Sequence, residues 1–98
     1  MNQFDVFQSD NRDLYCILQS DLLDGLDTVT TALLIPADKM LASRMTPTVT
    51  VNNRKYRIDI PRQIPMRISV LHQASPTVSV IDSRDDIMDA INLLYWGI

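Results

Sequence analysis

Through residue 81 the chain reads as strands, because apolar and polar residues alternate with the period of two that lines one face of a pleated sheet. Phe4 and Val6 alternate with polar neighbours, Gln8 to Asp13 form a polar loop, and Leu14 to Leu18 make a compact apolar run. Together these predict a first hairpin. Gln19 to Asp27 is acidic and contains Gly25, which predicts a long loop. A strand from Val29 to Ile35 follows and closes at Pro36, whose ring removes a ladder donor. Ala37 to Ser43 is read as a single helical turn.

The clearest alternation begins after Pro47. Val49 and Val51 alternate with Thr, Asn52-Asn53 tolerates the positive φ of a tight turn, and Tyr56, Ile58 and Ile60 alternate with Lys55, Arg57 and Asp59. That is a hairpin with one wet face. Pro61 and Pro65 bracket an expected connection, after which Met66, Ile68 and Val70 predict another strand and Val78 to Ile81 a short last one. There is no internal repeat, low-complexity stretch or linker.

The period then changes to that of a helix. Ser83 is a suitable N-cap, Asp85 and Asp86 stand where their charges favour the positive helix end, and Ile87, Ala90, Ile91 and Leu94 recur at helical spacing. At about 100° per residue, Asn92 and Trp96 project roughly 140° and 180° away from Ile87, opposite the stripe that must face the sheet. Two placements of Trp96 are open. In one the helix runs to Gly97, a C′ glycine, and the indole meets solvent; in the other the chain frays after Tyr95 and Trp96 folds back over the core. An exposed Trp beside Tyr95 and Ile98 has the chemistry of a protein–protein anchor.

Composition narrows the picture. The 98 residues, 46% hydrophobic and 21% charged, suit one globular domain over 1–98 and exclude a disordered chain. So short a chain builds a thin core, for which a homodimer is a natural remedy. Cys16 is the only cysteine, so no internal disulfide or cysteine metal cluster is available, and a reducing, cytoplasmic setting is expected. No signal pattern opens the chain, and the longest apolar run, Ala32 to Ile35, is far below the ~18 residues of a membrane span, so no membrane partner is expected.

The net charge of −3 is distributed unevenly. Residues 1–27 carry six Asp against Arg12, residues 39–67 hold seven basic residues against Asp59, and residues 82–89 hold four Asp against Arg84. The basic charges alternate with apolar residues, as on a strand's solvent face, so nucleic acid is expected to be met only indirectly, through a protein partner.

Three blocks, in order, resemble a known family. Asp89-Ala90-Ile91-Asn92-Leu93-Leu94-Tyr95-Trp96-Gly97-Ile98 is similar to the ending of the CcdB toxins, Gln19-Ser20-Asp21-Leu22-Leu23-Asp24 to their Gln-Ser-Asp segment, and Leu34-Ile35-Pro36 to their Ile-Pro segment. Gln3-Phe4 and the Pro47 to Val51 strand fit as well, so the resemblance spans essentially the whole chain. It implies a mainly β fold with a C-terminal α-helix, a small curved antiparallel sheet of the SH3-like barrel type shared with the MazF and Kid toxins, assembled as a homodimer. The function implied is that of a type II toxin, not an enzyme and without cofactor or metal. Such a toxin binds the DNA gyrase A subunit and traps the cleaved-DNA complex, and a CcdA-like antitoxin neutralises it by folding a flexible segment on it.

Carried over by position, Trp96, Gly97 and Ile98 match the toxicity determinant, with Asn92 and Tyr95 beside it and Leu22 and Leu23 contributing to gyrase binding. For the antitoxin, the acidic loops offer Asp10, Asp13, Asp21 and Asp24 to a basic or amphipathic peptide. The chain departs from the family pattern by a few extra residues between Asp24 and Ile35 and by Thr30-Thr31 where relatives often carry Arg, which bears on the antitoxin-facing surface. A MazF or Kid-like endoribonuclease is the alternative: metal-free RNA cleavage needs a base, an acid and a cation, and His72 and Asp59 with Arg57 or Arg67 are the available groups. Against it, a lone histidine in a loop before Ser75-Pro76 is an ordinary surface group. The third possibility is a non-toxic dimeric binding module. No glycine-rich phosphate loop or nucleophile–base pair is present, and Cys16 belongs in the core.

Overall fold

The computed structural model describes residues 2–20, 25–74 and 76–97. Strands β1 (Asp5–Gln8), β2 (Leu14–Ile17) and β3 (Thr28–Pro36) lead through a 3-10 turn at Ala37–Lys39 to β4 (Thr48–Val51) and the long β5 (Arg54–Arg67). Helix α1 (Ile68–Gln73), strand β6 (Pro76–Ser79), a second 3-10 turn at Ile81–Ser83 and helix α2 (Arg84–Trp96) complete the order. The six strands of the described residues pair antiparallel in one sheet, β4-β5-β3-β2-β1-β6, curved into a nearly closed barrel with α2 as its C-terminal helix.

The period-two alternation sorts side chains onto two faces. Val6, Cys16, Ala32, Leu34, Val49, Val51, Ile58 and Ile60 point inward and form the main core with Ile87 and Ala90 of α2. Their neighbours Phe7, Ile17 and Val29 point the other way, where Leu71 of α1 closes a smaller second cluster. Asn52 and Asn53 take φ of 52° and 65°, the paired positive values that a tight hairpin turn demands.

Two expectations are corrected at β5. Pro61 and Pro65 do not bracket a connection; the strand runs through both to Arg67. Between the pairs Ala32–Gln63 and Leu34–Ile58, β3 advances two residues while β5 runs five, so Pro61 sits in a bulge where no ladder donor is required. Pro65 lies opposite Thr30, whose N–H and C=O bond instead to the Gln19 side chain and the Leu18 N–H, so this pair also needs no proline donor.

Of Met66, Ile68 and Val70, only Met66 is in a strand, as the penultimate residue of β5; Ile68 and Val70 do not continue it. The alternation is coincidental beyond Arg67: Ile68 and Leu71, three apart, pack on the second cluster while Val70 is exposed, the signature of a helical turn. The last strand is displaced as well: β6 is Pro76–Ser79, and Ile81 already belongs to the 3-10 turn. Helix α1 therefore also carries His72, which was expected in a loop.

Candidate functional site at the end of α2

Helix α2 begins one turn after β6 leaves the sheet. Ser83 occupies the N-cap position, but its hydroxyl makes no capping bond, because φ −96° and ψ 12° continue the preceding 3-10 turn instead of the extended geometry that aims a cap. The turn itself supplies the missing acceptor, since the Arg84 N–H donates to the Ile81 carbonyl. Asp85 and Asp86 stand in the first turn, next to the positive helix end.

Ile87 and Ala90 are fully buried, and Met88, Ile91 and Leu94 pack beside them against the main core. The opposite face is thereby committed to solvent. Trp96 is 74% exposed and Tyr95 58% exposed, on a helix that continues through Trp96, so the frayed, folded-back placement is not the one adopted. Asn92, one turn earlier on the Trp96 side, is half-buried. Gly97 ends the helix at φ 73°, in the left-handed region that glycine enters without a Cβ penalty, and its N–H donates to the Leu93 carbonyl at 3.0 Å. The Tyr95 hydroxyl donates to Gln63 Oε1 at 2.8 Å, tying the last turn to β5.

Of the residues expected at a partner surface, Trp96, Gly97, Tyr95 and Asn92 therefore share the end of one helix. Ile98, Leu22, Leu23, Asp21 and Asp24 lie outside the described residues. Asp10 and Asp13 are exposed in the β1–β2 loop but do not open onto one cleft. Asp10 borders a cleft of about 340 Å³ with Phe7, Tyr15, Met66, Val70 and Leu71, whereas Asp13 borders another of about 310 Å³ with Arg12, Arg54 and Tyr56. Of the Thr30-Thr31 pair, Thr30 is half-buried, whereas Thr31 is buried and its hydroxyl donates to the Ile64 carbonyl at 2.8 Å.

Two of the groups considered for RNA cleavage, Asp59 and Arg57, are engaged elsewhere. Asp59 is buried and faces Arg62 at 3.8 Å. Arg57 donates to Thr46 Oγ1, Thr48 Oγ1 and the Ser43 carbonyl, which makes it a clasp for the loop before β4. Arg67 is exposed at the far end of β5. Cys16 is fully buried in the main core, and desolvation, assisted by the negative charge of Asp5, pushes its thiol up to about 12, far from a reactive thiolate. Among the described residues no cluster of His, Cys, Asp and Glu is arranged to hold a metal ion, and no helix is long and apolar enough to cross a membrane.

Gln63 escaped the sequence reading. It stands in what was expected to be a connection, and its partner is 32 residues away, so no local spacing announces the contact. None of the individually curated proteins compared with the chain matches it. A family model for the CcdB protein matches residues 3–97, a span that includes every strand and the whole of α2, and the chain therefore belongs to the CcdB family, the toxins of toxin–antitoxin systems.

Proposed function

We propose that the protein is a gyrase poison. As a homodimer of a single-domain chain, it docks the end of α2 on the DNA gyrase A subunit and holds the enzyme in its cleaved-DNA state. It breaks no bond itself: a ligand that binds one state of another enzyme's cycle more tightly than the rest shifts the cycle toward that state. The contact is formed by Trp96, Gly97 and Ile98, with Asn92 and Tyr95 beside them and Leu22 and Leu23 adding to it. A CcdA-like antitoxin folds on the acidic side of the toxin and draws on Asp10, Asp13, Asp21 and Asp24. The cytoplasm, where gyrase works, is the compartment this reading requires.

The observation that carries the reading is the exposed indole on a helix whose other face is buried. Large aromatic residues left in water at the end of a rigid element are the usual anchors of protein interfaces, and each contributes about 2 kcal/mol or more when docked. Family membership names the class of partner. The ribonuclease reading is not favoured, since Asp59 and Arg57 are held by other groups.

The test is to incubate the purified protein with gyrase, plasmid and ATP and, separately, with RNA alone. Linear DNA released on denaturation, with intact RNA, is the expected result; cut RNA without trapped DNA overturns the proposal. Sedimentation at micromolar concentration should give about twice the 11.2 kDa chain mass.

A further inference from the structure

We propose that Gln63 is a positioning residue for this site: from the sheet, it holds Tyr95 and thereby orders the turn that carries Trp96. The inference rests on the reading of the α2 end as the gyrase contact. Helix ends fray, and the last turn of α2 has little to prevent it. Within that turn Leu94 packs against the main core, whereas Tyr95 and Trp96 are exposed. Beyond the core contact and the helix's own backbone ladder, the segment is held by the Gly97 N–H to the Leu93 carbonyl and by the Tyr95 hydroxyl to Gln63 Oε1 at 2.8 Å.

The second bond differs from the first because its acceptor belongs to another element. Gln63 is half-buried on β5, beside the bulge and paired in register with fully buried Ala32 of β3. It is therefore fixed by the sheet, not by the helix. The tyrosine hydroxyl lies on the axis about which the ring turns, so anchoring it fixes the direction of the side chain at its first rotatable bond and restrains the backbone one residue before Trp96. An exposed hydrogen bond adds little to global stability, because water replaces both partners when it opens. Its effect falls on order: a contact already arranged before docking loses less freedom on binding.

Trp96 is the only tryptophan, so its fluorescence reports the order of the turn without any partner. In the full chain, Tyr95→Phe and Gln63→Leu should each increase the fast component of the Trp96 anisotropy decay, while the melting temperature moves by less than about 4 °C. Each should weaken binding to the purified gyrase A subunit by about three- to tenfold, and the double variant by no more than the stronger single one. Gln63→Glu keeps an acceptor oxygen within reach and should restore both the order and the affinity. Unchanged anisotropy in Tyr95→Phe and Gln63→Leu, or a Gln63→Glu protein as disordered as Gln63→Leu, overturns the positioning role. Trp96→Ala separates the two readings. If it abolishes binding while Gln63→Leu binds as the parent does, the positioning role alone falls; if it leaves binding intact, the gyrase contact itself is wrong and this role falls with it.

Discussion

The two ends of α2 behave as different materials. Around Ile87 and Ala90 the helix is part of the core, with both side chains fully buried among strand residues. At Tyr95 and Trp96 the same helix carries large aromatic surface into water, held by a capping glycine and one hydrogen bond to β5. The first end stabilises the fold and offers nothing to a partner. The second contributes little to folding, because surface that remains wet yields no burial energy, yet it presents the chemistry of an interface. Separating the two environments along one helix lets the exposed end change without loss of the domain.

The sharpest way to break that contrast is at the buried end. Ile87→Ala removes a side chain with no solvent exposure and leaves a cavity, at a cost of about 2 to 5 kcal/mol from a total of roughly 5 to 15. Calorimetry should show the melting temperature falling by about 8 °C or more. The exposed end predicts the opposite outcome. Deleting residues 96–98 should leave the melting temperature near that of the parent while gyrase binding weakens by roughly thirtyfold or more, the equivalent of about 2 kcal/mol. Unfolding on this deletion contradicts the division of labour; a shortened protein that still traps cleaved DNA places the contact elsewhere.

A smaller effect tests whether the acidic loop is a third, independent surface. Changing Asp10 and Asp13 together to Lys should weaken antitoxin binding by up to about tenfold at low ionic strength and less in high salt, since exposed pairs contribute only about 0.2 to 1 kcal/mol each. Gyrase trapping should persist. Because the two carboxylates border different clefts, each single change should carry only part of the effect.

Cys16 reports on the buried end through pH. Its thiol lies at about 12 in the folded chain against an ordinary value of 9.0, so the fold favours the protonated form. That contribution is complete below about pH 9 and is lost as pH rises through 12. At pH 10 the loss is on the order of 1 kcal/mol. Denaturant titrations at pH 8 and pH 10 should show it in the parent, and Cys16→Ala should lack that component; identical pH slopes would mean the thiol is not held in the core.

Where the chain departs from its local pattern, the cause is a contact between distant residues. The Asn52-Asn53 hairpin and the buried stripe of α2 were legible because a turn or a helix face is decided by residues a few positions apart. The run after Arg67 was misread for the same reason. Met66, Ile68 and Val70 satisfy a strand's alternation, and only the packing of Leu71 on Phe7, Ile17 and Val29 makes Ile68–Gln73 a helix. Pro61 and Pro65 look like breaks until the β3 register shows that neither position needs a donor.

For the site, helical periodicity offered the outward direction of Trp96 as one of two placements and the helix running on to Gly97 selected it, while the left-handed cap at Gly97 followed from the residue itself. The family was legible in three short blocks and is matched over residues 3–97. What the amino-acid order determined alone is thus the type of most elements and the faces they bury, both of which depend on neighbours in sequence; between the two open placements of the indole the structure chose the exposed one. The tertiary structure alone decided the bulge in β5, the separation of Asp10 from Asp13 and the bond from Tyr95 to Gln63. Each of these depends on which strand lies beside which, and that is settled by the packing of the whole core and not by any local spacing.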